Sequence, residues 1–201
     1  MTWITTIPYA AADEHLLKLY NRIKGPSGNV DNIMLVHSLR PHTMEGHLAL
    51  YKRVLHHSAN TVTKWFLEAI GVYTSLLNNC EYCVEHHFAG MARLLDDSSR
   101  AESVRTALET DRLVGVFSPK ECAALEYVRR LTKSPASLSR QNVDALRDAG
   151  WGDGEILEIN QVVAYFAYAN RTVLGLGVTT EGDILGLSPG DSSDPDSWQH
   201  T

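Results

Sequence analysis

Apolar residues recur at intervals of three and four along nearly the whole chain and nowhere alternate at two, which restricts the fold to packed helices. Over residues 11–24, Leu16, Leu17, Tyr20 and Ile23 form one stripe, ended by Gly25-Pro26-Ser27-Gly28. A short helix from Asp31 to Leu39 stops at Pro41. From Pro41 to about His57, proline occupies the first position and Met44, Leu48, Tyr51 and Leu55 keep helical register. Residues 61–77, with Trp65, Ile70, Val72 and Leu76, are apolar enough to be the central helix.

Asn78 is a natural helix end, and Asn79 is the expected N-cap of a helix running from Cys80 to about Leu95. Residues 96–99 end that helix and cap the next, over 99–110. Ser118-Pro119-Lys120-Glu121 is a capping box with proline at the first position, launching Cys122 to Leu131. Ser137 or Ser139 opens a helix through Ala149, closed by Gly150, and Asp153 is expected to cap the long helix over 154–176. The class is all-α, with about eight helices. Residues 1–187 read as one helical domain, and 188–201 as a polar tail rich in Ser, Asp and Pro, in which Trp198 is the one residue able to pin it down.

A chain of 201 residues with 44% hydrophobic content can bury a proper core. A formal net charge of −6 with scattered Lys and Arg argues against nucleic acid as a partner. The amino-terminal MTWITTIPYAAADEHL lacks the pattern of a secretory signal, and no apolar run approaches a membrane span. Three cysteines are too few, and odd in number, for a secreted disulfide scaffold, so a cytoplasmic setting is expected, where a disulfide is transient and catalytic.

Two of those cysteines carry the chemistry. A helix starting at Cys80 puts Cys80 and Cys83 on one face at its positive end, where the dipole and free amides favour a thiolate. His87, four residues after Cys83, shares that face and can exchange a proton with sulfur. An antiparallel hairpin closing near Asn78-Asn79 brings Glu68 to within a turn of His87 in height, at ~1.5 Å rise per residue. A carboxylate on so apolar a face needs a partner, and His87 is the obvious one.

The residues alone leave other readings open. The cysteine pair could be coincidence, or half of a structural zinc site, which wants four ligands where only Cys80, Cys83 and one histidine align. Glu68 alone could be a partly exposed helix residue, and His86 reads as solvated. Cys122, on a separate apolar helix, reads as a buried inert thiol. His37, His42, His47, His56 and His57 form no compact ligand set and read as surface or packing residues. Asn170-Arg171 could pin a helix end or a subunit contact.

Glu68, eleven residues, then Cys80-Glu81-Tyr82-Cys83-Val84-Glu85-His86-His87 resembles the core motif of the alkylhydroperoxidase D-like branch of the carboxymuconolactone decarboxylase superfamily. The segments SPKECAALEYVRRLTKSP, DALRDAGWGDGEILEINQVVAYFAYANR and DPDSWQH look like its uncharacterised peroxidase-related members, so the resemblance covers most of the chain, with its core over 61–95.

That resemblance implies an all-helical bundle assembling as a homo-trimer or homo-hexamer. It also implies a peroxidase in which Cys83 attacks a small hydroperoxide, Cys80 closes the disulfide, and Glu68 with His87 relays the proton. No cofactor or metal is implied. The expected reductant is a dithiol, in the family's best-known case a lipoyl-bearing protein. Tyr82 departs from the characterised enzyme, which has histidine before its second cysteine. The alternatives are a redox-sensing or disulfide-exchange protein with little turnover and, behind it, a structural metal-binding protein. A decarboxylase is not implied, because a redox dithiol has no use in that reaction.

Overall fold

In the computed structural model, residues 2–189 are described, and the tail expected over 188–201 lies outside them except for Ser188 and Pro189. Among the described residues there are nine α-helices and no strand. They are α1 (Glu14–Ile23), α2 (Asn32–Leu35), α3 (Pro41–Tyr51), α4 (Lys64–Leu77), α5 (Glu81–Leu95), α6 (Ser98–Thr110), α7 (Pro119–Lys133), α8 (Arg140–Asp148) and α9 (Asp153–Leu176). The expected tally was about eight.

Helix starts follow the chemistry of their free amides. Asp13 accepts from the Leu16 amide at 2.8 Å, Asp97 from that of Arg100 at 2.9 Å, and Ser118 and Glu121 complete their capping box. Asp153 is not the cap expected of it. It occupies the first position of α9 and its carboxylate takes Arg147 at 2.8 Å, while the Gly152 amide donates to Glu155 at 2.7 Å.

The centre of the molecule is α4, packed against α5, α6, α7 and α9. Its Phe66, Leu67, Ala69, Ile70, Val72 and Tyr73 are fully buried, each large apolar side chain contributing about 1.5–3 kcal/mol. Gly71 lets α9 come close: a Cβ there would fall 2.3 Å from the Phe166 ring. A smaller core joins α1 to α3 through Leu16, Leu19, Tyr20, Met44 and Leu48.

After α3 the chain continues through a wider π turn, Lys52–His56, rather than the plain α-helix expected to about His57. Within the π turn Val54, Leu55 and His56 are buried in succession, a wider inward face than the one-sided stripe expected there. His56 is thereby delivered to the same interior region as α4.

Candidate functional site

The α4–α5 hairpin closes through a Schellman motif. The Cys80 amide donates to Ser75 O at 2.9 Å and the Asn79 amide to Leu76 O at 3.0 Å, with Asn79 in the left-handed region at φ 56°. Asparagine tolerates that conformation without a Cβ-branched clash. Asn79 is therefore the C′ residue of α4 rather than the N-cap of α5, and Cys80 itself is that N-cap. Cys80 consequently lies one position outside the helix, and Cys83 sits in its first turn.

The two sulfurs are 3.2 Å apart as free thiols, with Cys80 0% and Cys83 2% exposed. Hydrogen bonding from Cys83 holds the Cys80 thiol below its usual range despite burial, assisted by the Cys83 amide and by Asn170. The same bond, with burial and the neighbouring charge, pushes Cys83 well above its range. With both protonated, Cys80 donates to Cys83; after the first proton leaves, Cys83 donates back. The pair thus stabilises one negative charge and resists a second.

Asn170, from α9, braces this arrangement. It is 1% exposed, donates to Ser75 Oγ at 3.0 Å and accepts from Asn78 Nδ2 at 2.9 Å, tying α9 to the end of α4 beneath the thiols. Arg171, by contrast, is exposed and donates to Ala167 O at 2.6 Å on its own helix.

Glu68 is buried in the middle of α4, against the expectation for a lone helical carboxylate. His87 Nδ1 donates to its Oε2 at 2.6 Å, and His56 Nε2 lies 3.6 Å from Oε1. Burial pushes the Glu68 carboxyl up, but His87, then His56 and Arg93, outweigh it and hold the group below its ordinary range. Gly90 of α5 packs beside the carboxylate, where a Cβ would be in ordinary contact at 3.7 Å. With Nδ1 committed to Glu68, Nε2 on the far edge of the His87 ring is the atom able to exchange a proton.

Cys83, Glu68 and His87 all line one pocket. Cys80 lies behind Cys83 and does not line it. Met34, Leu48, Tyr51, Tyr165 and Leu187 supply apolar and aromatic wall. Tyr51 stands edge-on to both His56, at 4.8 Å between ring centres, and His87, at 6.0 Å.

The rim is closed by the chain after α9, through Gly186, Leu187 and Ser188. This strap is anchored by Asp183, which accepts from the Tyr82 hydroxyl at 2.6 Å and from the Asn32 amide at 3.0 Å, and lies 3.2 Å from His86 Nε2. His86 is therefore a half-buried partner of Asp183 rather than a solvated residue. Tyr82 accepts from the Ile33 amide at 3.2 Å, and burial, with Asp183 beside it, pushes its hydroxyl well above the usual range. Its hydroxyl is committed to the strap.

Cys122 is half-buried on α7, its thiol donating to Phe117 O at 3.7 Å and pushed up by burial. Among the described residues no group of three or more His, Cys, Asp or Glu is arranged to hold a metal ion. His37, His47 and His56 are buried packing residues, but His56 and His47 also reach the site. The signal for His56 was absent from the sequence, since it depends on the π turn. Tyr165 and Asn170 lie on the buried stripe of α9, a stripe legible as periodicity though not as chemistry.

No family model matches the sequence, and no curated protein does. Solved structures do match in three dimensions. An uncharacterised peroxidase-related protein with an alkylhydroperoxidase AhpD core, from Ralstonia eutropha JMP134, superposes with a TM-score of 0.74 at 22% identity, over 89% of this chain and 91% of that one. An uncharacterised peroxidase-related protein from Silicibacter sp. TM1040 gives 0.76 at 21%, over 89% and 91%. The debrominase Bmp8, in complex with 2,3,4-tribromopyrrole, gives 0.70 at 18%, over 90% and 93%. Nine helices arranged around α4 and the α4–α5 hairpin thus place this chain in the alkylhydroperoxidase D-like fold.

Proposed function

We propose that this protein is a thiol-dependent peroxidase that reduces alkyl hydroperoxides or hydrogen peroxide through a Cys80–Cys83 dithiol/disulfide cycle. The observation that carries the reading is the shared pocket: Cys83, Glu68 and His87 face one cavity, and Cys80 waits 3.2 Å behind Cys83. The two sulfurs share one negative charge across their hydrogen bond, and the His87 imidazole, held by Glu68, takes the Cys83 proton so that the charge on Cys83 is held by the Cys80 S–H. The thiolate then attacks the peroxide, giving a sulfenic acid and an alcohol. Cys80 condenses with the sulfenic acid, releasing water and leaving a disulfide.

An external dithiol restores the thiols by exchange, a lipoyl-bearing protein being the expected donor, and the working form is a homo-trimer or homo-hexamer. The burial of both sulfurs, at 0% and 2% exposure, favours a small oxidant over direct disulfide exchange between proteins. A second reductive reading draws on the debrominase among the structural neighbours: the same dithiol could donate its electrons to a carbon–bromine bond.

Consumption of cumene hydroperoxide and of a brominated pyrrole, each with dihydrolipoamide as reductant, separates the two readings. Turnover of the peroxide alone supports the first, and turnover of the pyrrole alone supports the second. Turnover of neither, with a reversible Cys80–Cys83 disulfide, indicates a redox sensor.

A further inference from the structure

The pocket holds a second polar couple on a wall that the Cys-x-x-Cys motif does not supply. His47, from α3, and Tyr165, from α9, stand 118 residues apart in sequence, and His47 Nε2 lies 3.0 Å from the Tyr165 hydroxyl. Both side chains are 3% exposed, and both line the cavity with Cys83 and Glu68. Among the described residues the Tyr165 hydroxyl has no other hydrogen-bond partner, and His47 Nδ1 has none. Tyr51 stacks on Tyr165 at 5.5 Å between ring centres, and Phe166 meets it edge-on, so the ring is fixed by packing.

Two buried polar groups in an otherwise apolar and aromatic wall carry a desolvation cost that a structural role does not explain, because two apolar side chains would fill the space at least as well. Burial, with His37 and His87 nearby, lowers His47 to about 3, so the imidazole is neutral and carries one N–H. With that proton on Nε2, His47 donates to the tyrosine oxygen and turns the O–H away from itself. Burial, Cys83 and Glu68 push the Tyr165 hydroxyl well above its usual range, so it keeps its proton.

We propose that the Tyr165 hydroxyl, aimed by His47, donates a hydrogen bond to the leaving oxygen of the hydroperoxide as Cys83 attacks. This rests on the peroxidase reading. In the step, the Cys83 thiolate forms an S–O bond to the terminal oxygen of ROOH and the O–O bond breaks. Sulfur is oxidised to the sulfenic acid, the peroxide is reduced, and the electron pair leaves on RO⁻. The proton taken from the Cys83 thiol by His87 completes the alcohol, and Tyr165 is unchanged.

An alkoxide is a strong base whose burial in this pocket is costly, and a preorganised donor where the charge develops offsets that cost. Tyr165 is then a catalytic residue and His47 a positioning residue. The couple also sets specificity. Peroxides that expel an alkoxide depend on it, whereas a peracid expels a weakly basic carboxylate and does not.

The test compares tert-butyl hydroperoxide with peracetic acid on wild type, Tyr165→Phe, His47→Gln and His47→Phe. Tyr165→Phe is expected to lower kcat/KM for the alkyl hydroperoxide about 10²-fold while leaving peracetic acid near wild type. His47→Phe should repeat that pattern, and His47→Gln, which can still reach the tyrosine oxygen, should recover part of the loss. Undiminished peracid turnover also certifies that each variant is folded. Equal losses on both oxidants would assign the couple to packing and overturn the proposal, as would no loss on either. A wild type that consumes neither oxidant would overturn the peroxidase reading itself, a different failure.

Discussion

Glu68 Oε2 accepts from His87 Nδ1 at 2.6 Å across the α4–α5 hairpin, joining a carboxylate twelve residues before Cys80 to an imidazole four residues after Cys83. The pair is nearly dry, with side-chain exposures of 3% and 13%, so its strength is not dissipated by solvent.

Replacing Glu68 separates the chemical role from the structural one. Glu68→Gln keeps the shape but leaves His87 without a carboxylate to steady its protonated form, and peroxide kcat/KM should fall about 10²-fold. Glu68→Ala strands the histidines in the interior and should cost about 3–5 kcal/mol in denaturant unfolding.

The same carboxylate sets an acid limit. Its folded-state pKa lies below the ordinary value, so its contribution to stability is present above the unfolded pKa and is lost as pH falls through the lowered folded value. The stability of wild type against unfolding should fall with acidification across that window below the ordinary carboxylate range, and that of Glu68→Gln should fall less steeply. Parallel slopes for the two proteins would contradict the assignment.

The thiol pair should titrate in two well-separated steps. In a Cys122→Ser background, which leaves only the pair, thiolate absorbance in the ultraviolet is expected to show one thiolate forming below the usual cysteine range and the second well above it. With Cys80→Ser added to that background the largest influence raising Cys83 is gone, so the one remaining thiol should ionise at lower pH than the second step of the intact pair. A single ordinary cysteine titration of the intact pair would contradict the shared proton.

Asn170→Ala removes the brace under both thiols. With Ser75 and Asn78 losing their partner, the fold should lose about 1–3 kcal/mol. Because Asn170 lowers both cysteines, the alkaline shift of the thiol titration should accompany that loss, which a purely structural residue would not produce.

Tyr82 occupies the position where the characterised relative has histidine, and its hydroxyl holds Asp183 at 2.6 Å. Tyr82→Phe should loosen the strap over residues 178–189, raising amide hydrogen exchange there, while single-turnover oxidation of Cys83 proceeds. Loss of that oxidation with unchanged exchange would instead give Tyr82 a part in the proton relay.

The helices were legible because burial on α4 and α9 imposes a three-four spacing that polar residues cannot imitate. Glu68, Cys80, Cys83 and His87 were legible because all four lie on two helices joined by one short turn, so that spacing in sequence becomes position in space. What escaped was either conformational or long-range. Asn79 adopts φ 56° and so moves the helix start past Cys80, a choice both asparagine roles permit in sequence. His56 turns inward only because the α3 helix widens, and His86 is partly covered only because Asp183, 97 residues later, folds back over it.

The central claim is that Cys83 is oxidised by peroxide and Cys80 resolves it. The direct measurement is peroxide consumption under dihydrolipoamide together with mass spectrometry of the thiols, for wild type, Cys83→Ser and Cys80→Ser. Wild type should turn over and acquire a Cys80–Cys83 disulfide, Cys83→Ser should consume nothing, and Cys80→Ser should stop after one equivalent with a trappable sulfenic acid on Cys83. Wild-type rates in both variants would contradict the account.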